Sequence, residues 1–176
     1  MNIASKELNK KELLSSLEDT TRELVESLSL FNETELNMVP FEGRWTAGQV
    51  GEHLLMSNPG IAKIISGNTQ PTERPADENV ESLKSIFLDF SKKAISAKAI
   101  WPSDMPKEKE KLISGLKETM DGIRLKADSM DLSLTCLDFP FPTLGEFTRW
   151  EWVTFIIYHT KKHIYQVKNI YNKIKD

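Results

Sequence analysis

A single cysteine, Cys136, excludes an intramolecular disulfide and makes a reducing, cytoplasmic compartment the natural setting. Its surroundings, T-C-L-D-F-P, carry no nucleophile motif and read as a small core filler. No apolar run approaches the ~20 residues of a membrane span, and the N-terminus, M-N-I-A-S-K-E-L-N-K-K-E, lacks the apolar stretch of a secretory signal. These absences predict a soluble, cytoplasmic protein with no membrane partner. The 23 Lys and Arg against 26 Asp and Glu give a net charge of -3, and no basic run is long enough to form a nucleic-acid arm. Repeats and low-complexity tracts are absent too, so residues 1–176 are expected to form one domain large enough to bury a core without staples.

What is present is helical periodicity. Leu13, Leu14, Leu17, Leu24, Val25 and Leu28 predict an amphipathic helix over 10–30, followed by a connection over 32–44. Thr46 and Gln49 stand in capping-box register and open a second helix whose inward face carries Val50, His53, Leu54 and Ser57. Asn58-Pro59-Gly60 predicts a kink or short break in it, because Pro59 cannot donate to the Leu55 carbonyl. Gly67 ends it. A surface loop over 68–76 and a short helix over 77–90 follow, and 91–106 fits either helix or coil. Leu112, Ile113, Leu116, Met120, Ile123, Leu125 and Ala127 predict a long helix over 107–128, in which Gly115 and Gly122 can admit a close helix crossing. Strand-like text occurs only over 132–137, before prolines that exclude a regular central strand. Thr148 and Glu151, a second capping box, start a final helix over 149–174. Four long helices with extended connections predict an all-α four-helix bundle.

Three histidines are all the chain has, and each falls on an inward stripe. His159 and His163, one helical turn apart, share a face with Trp152, Phe155, Ile156, Gln166, Val167 and Ile170. His53 lies on the second long helix. Burying three imidazoles is costly unless each has a partner, and one divalent ion satisfies all three. Two ligands from an i, i+4 pair and one from a facing helix leave a fourth position for water, as in catalytic zinc sites. The alternative is three separate core histidines, each hydrogen-bonded to a neighbour. Thr160 stands where the zincin pattern H-E-x-x-H has its glutamate base, so that peptidase chemistry is disfavoured. Gln166 reads as a hydrogen-bond partner of a histidine rather than a ligand. Trp45, Trp101, Trp150 and Trp152 read as packing residues rather than a ligand cage.

Three segments carry a resemblance. Trp45-Thr46 through His53-Leu54, the stretch Phe141-Pro142-x-Leu144-Gly145-x-Phe147-Thr148, and His159-x3-His163-x2-Gln166 with Lys162 in a basic position resemble motifs of the DinB-like (YfiT-like) superfamily. The resemblance covers nearly the whole chain. It implies a four-helix bundle, often dimeric, holding zinc, nickel or a similar divalent ion on His53, His159 and His163. It also implies a metal-dependent hydrolase, or a transferase joining a low-molecular-weight thiol to an electrophile. The chain departs from the family pattern at Asn58-Pro59-Gly60, near the expected pocket.

Two function classes therefore stand after the sequence. One is a metal-dependent enzyme acting on a small molecule, by thiol transfer or by hydrolysis. The other is a non-catalytic bundle in which the histidines are vestigial or the metal braces the core.

Overall fold

The computed structural model describes residues 9–92 and 97–176. Its long helices are α1 (Lys10–Ser29), α3 (Ala47–Ile65), α5 (Lys109–Ser129) and α6 (Arg149–Lys175), with the short α2 (Glu33–Leu36) and α4 (Val80–Phe87) between them. Both predicted capping boxes form: Thr46 with Gln49 opens α3, and Thr148 with Glu151 opens α6. α1 and α3 each pack against both α5 and α6. Of the three pairs consecutive among the long four, α1 with α3 and α5 with α6 thus face each other across the bundle, while α3 and α5 are packed neighbours. The long connections allow this crossing.

Several local expectations are corrected. Within 32–44, Asn32 and Glu35 form a third capping box and fold α2. α3 runs through Pro59 without a break, its inward face held on both sides by α5 and α6. The 68–76 loop contains the strand β1 (Thr69–Gln70), which pairs antiparallel with β2 (Thr135–Cys136), the only part of 132–137 that is strand. The helix expected over 77–90 is confined to α4. In the 91–106 stretch a single 3-10 turn, Lys98–Ile100, is seen, while residues 93–96 lie outside the described chain.

The close helix approach also lies elsewhere than expected. A Cβ at Gly122 would meet nothing within 4 Å, and one at Gly115 would make only ordinary contact with Leu55 at 3.4 Å. On α3, by contrast, a Cβ at Gly51 would stand 2.8 Å from Leu112 of α5. At Gly48 it would stand 2.9 Å from the Lys107 stem, so the glycines of α3 let the chain around α5 pass close to it.

α6 is buried on two stripes rather than one. Trp152, Ile156, His159, His163, Val167 and Ile170 form the expected stripe, and Val153, Ile157, Thr160 and Ile164 form a second. The cause is its place in the bundle, with α1, α3 and α4 all packed on it.

The core divides into two apolar halves. One gathers Leu14, Leu17, Ile65, Met120, Ile123, Trp152 and Ile156. The other gathers Leu24, Leu28, Val50, Leu54, Leu112, Leu116, Ile164 and Val167. Near the junction of the two halves three of the long helices carry buried polar residues: Thr20 and Thr21 on α1, His53 and Asn58 on α3, and His159, Thr160 and His163 on α6. The histidines therefore sit in a polar layer between two greasy ends. Burial of each large aliphatic side chain in those ends contributes roughly 1.5–3 kcal/mol, which offsets the desolvation of the layer.

Candidate metal centre

The three histidines meet in that layer. His159 Nε2 is 3.3 Å from His53 Nε2 and 3.1 Å from His163 Nε2. One nitrogen from each ring lies within 4.8 Å of the other two. His53 is fully buried, and His159 and His163 are each 8% exposed.

The outer nitrogens explain why the inner ones converge. His53 Nδ1 is 2.9 Å from the Ile100 carbonyl oxygen, an acceptor only, so Nδ1 carries the proton and donates it. His163 Nδ1 donates likewise to Gln166 Oε1 at 2.9 Å, the hydrogen-bonding role expected of Gln166. Both Nε2 lone pairs are thereby aimed inward. His159 is oriented differently, by its ring: Phe155 stacks on it at 5.1 Å between centroids, and Phe87 meets it edge-on at 5.8 Å. Trp45 packs on His53 at 5.3 Å.

Protons alone do not satisfy this arrangement. His159 Nε2 has at most one hydrogen to offer, while two lone pairs face it. A divalent ion does fit. Tetrahedral coordination with zinc–nitrogen bonds of ~2.0–2.1 Å places ligand nitrogens ~3.3 Å apart, matching the separations of 3.3 and 3.1 Å. Among the described residues no carboxylate or thiol joins the group. Cys136 is buried apart from it, and burial raises its thiol pKa to about 11.

Burial is also the main reason the histidines resist protonation. It lowers His159 well below the usual histidine value, with His163 and His53 adding repulsion. It lowers His163 to about 3, helped by His53 and opposed by the Gln166 hydrogen bond. It lowers His53 as well, against the Ile100 hydrogen bond. A folded pKa below the unfolded value of ~6.5 means that the stabilising contribution is complete above pH ~6.5 and is lost as pH falls toward the folded value. We expect the metal-free protein to lose about 1.4 kcal/mol per pH unit below ~6.5 for each histidine that stays neutral. Urea midpoints measured between pH 7 and pH 5 check this, and His163→Gln should flatten the slope.

Two hollows along α1, about 290 Å³ beside Lys161 and about 500 Å³ beside Arg124, do not border the histidines. His159 and His163 each keep a small exposure to solvent. Sequence reasoning missed the Ile100 carbonyl, because a backbone oxygen in a connection of ambiguous structure carries no residue-type signal. The stacking of Phe155 on His159, at i, i+4, was readable from their spacing.

Comparison with known proteins follows the same lines. The uncharacterized protein YuaE of Bacillus subtilis (strain 168) is 25% identical over 168 residues, covering 92% of this chain and 99% of YuaE. The structure of YfiT from Bacillus subtilis, described as a probable metal-dependent hydrolase with an unusual four-helix bundle topology, matches with a TM-score of 0.62 at 16% identity. The match covers 99% of this chain and 93% of YfiT. That likeness concerns the fold. The family model of the DinB superfamily matches residues 14–167, and this chain belongs to that superfamily.

Proposed function

We propose that the chain binds one divalent transition-metal ion through Nε2 of His53, His159 and His163 and uses it in a reaction on a small molecule. The observation that carries this reading is the convergence of three inward-facing imidazole nitrogens, 3.1 and 3.3 Å apart, with no set of protons that satisfies them. All-nitrogen donors of this kind suit zinc or nickel. When bound with a position open, such an ion supplies Lewis-acid chemistry, lowering the pKa of a water or a thiol.

The chain's own residues hold that centre rather than exchange protons with it. His53 and His163 are locked as Nδ1–H tautomers by Ile100 and Gln166, and Phe155 and Phe87 keep the His159 ring in place. The aromatic wall excludes water from one side. Among the described residues no carboxylate stands among the histidines as general acid or base. That favours a reaction in which activation of the nucleophile suffices, such as transfer of a low-molecular-weight thiol to an electrophile. The description of YfiT as a probable metal-dependent hydrolase favours hydrolysis instead. A structural, non-catalytic metal is the competing reading, favoured by the near-complete burial of all three histidines.

A panel of thiols with monochlorobimane, run beside generic esters and amides on zinc- and nickel-replete protein, tests the proposal. Turnover abolished by chelation and restored by the metal supports the enzyme. Bound metal with no turnover on any substrate points to the scaffold.

A further inference from the structure

Ile100, which orients His53, ends a single 3-10 turn within a connection rather than sitting in one of the long helices, so something must hold it there. Glu52 precedes His53 on α3, and its side chain leaves the helix about 100° away from that ring. It accepts a hydrogen bond from the Ser103 backbone N–H at 2.7 Å and pairs with Lys107 Nζ at 2.7 Å. Lys107 Nζ in turn donates to Ser103 Oγ at 2.6 Å and to the Ser103 carbonyl at 3.1 Å. Gln49, one turn earlier, donates to the same carbonyl at 3.2 Å. The Lys107 side chain is only 9% exposed, and its stem crosses α3 where Gly48 has no Cβ.

Ser103 is thus the anchored end of a short link, Ile100-Trp101-Pro102-Ser103. The link is stiff. Pro102 has a fixed φ, and Trp101 before it adopts the extended conformation that a following proline imposes, with φ -72° and ψ 132°. Fixing Ser103 therefore restricts where the Ile100 carbonyl can go.

We infer that Glu52 is a positioning residue for the histidine centre: by anchoring Ser103 and Lys107 it holds the Ile100 carbonyl on His53 Nδ1, and so keeps Nε2 facing His159 and His163. The inference rests on the proposed metal reading only for its effect on affinity, because the tautomer of His53 is a property of the metal-free chain. Loss of an outer hydrogen-bonding partner typically lowers metal affinity about 10–100-fold.

The test is long-range ¹H–¹⁵N NMR of metal-free protein labelled at histidine, with zinc affinity measured in parallel by competition with a chromophoric chelator. Wild type should show His53 as the Nδ1–H tautomer. Glu52→Leu should mix in the Nε2–H tautomer and weaken zinc about 10–100-fold. Glu52→Gln retains an acceptor for the Ser103 N–H, and it should keep the wild-type tautomer and most of the affinity. Should Glu52→Leu fail to fold, Ser103→Pro removes the same N–H without altering α3, and the same two changes are expected. A folded Glu52→Leu or Ser103→Pro protein with the wild-type tautomer and affinity overturns the inference. If the tautomer shifts but wild type itself binds no zinc, the positioning role stands and the metal reading fails.

Discussion

Replacing His53 by Gln should leave helical content and cooperative melting close to wild type while removing most of the protein's affinity for zinc or nickel. The asymmetry follows from where the ring sits. Glutamine approximates its volume, and its amide can still donate to the Ile100 carbonyl that His53 Nδ1 faces at 2.9 Å. What it cannot supply is an imidazole nitrogen 3.3 Å from His159 Nε2, and amides bind borderline-soft metals poorly. Because a direct ligand is lost, the drop should exceed the ~10–100-fold cost of losing an outer partner. His159→Ala is a poorer test. It opens a void beside Phe155 and Phe87, and truncating a large core side chain costs a few kcal/mol in itself. Mass-spectrometric metal content and a melting curve on the same His53→Gln sample separate the two effects. Full metal occupancy at unchanged affinity would remove His53 from the centre.

Replacing Arg74 by Ala should produce the largest loss of stability. Glu151, the capping-box residue of α6, is completely buried, and Arg74 pairs with both of its carboxylate oxygens at 2.8 and 2.7 Å. That pairing raises the Arg74 pKa. The carboxylate also accepts from the Asn79 and Thr148 backbone N–H groups, so one side chain ties the connection before α4 to the start of α6. Removing the guanidinium leaves a buried charge facing only amides, which typically costs about 3–5 kcal/mol. For a chain of this length that lowers Tm by about 10 °C. Arg74→Met combined with Glu151→Gln should recover much of the loss, since neither buried charge remains. A single mutant melting within 2 °C of wild type would show that water reaches the carboxylate freely.

The contrast between these two sites explains what could be read from sequence. The histidines announced themselves because helical periodicity is local: i, i+4 spacing fixes His159 over His163, and the stripe around Val50 and Leu54 fixes the face of His53. The two capping boxes, at Thr46 and Thr148, were readable for the same reason. The pairing of Arg74 with Glu151 links residues 77 positions apart through a loop, and no pattern along the chain marks it. The second buried stripe of α6 depends on which helices surround it, which is a property of the bundle. The two-residue strands are too short for a period to show. Pro59 was expected to kink or break α3, and of these the break does not occur, since packing on α5 and α6 outweighs one missing hydrogen bond. Gly115 and Gly122 suggested a crossing that tertiary structure places at Gly48 and Gly51. Local chemistry was legible and its tertiary use was not.

If three neutral imidazoles form a single site for a divalent ion, calorimetric titration of untagged, metal-free protein with zinc at pH 7.5, repeated with nickel, will register it. Saturation at one ion per chain is expected, with affinity that weakens as pH falls below ~6.5 because only neutral imidazole binds metal. Absence of saturable binding, or a stoichiometry and affinity that His53→Gln leaves untouched, would contradict it.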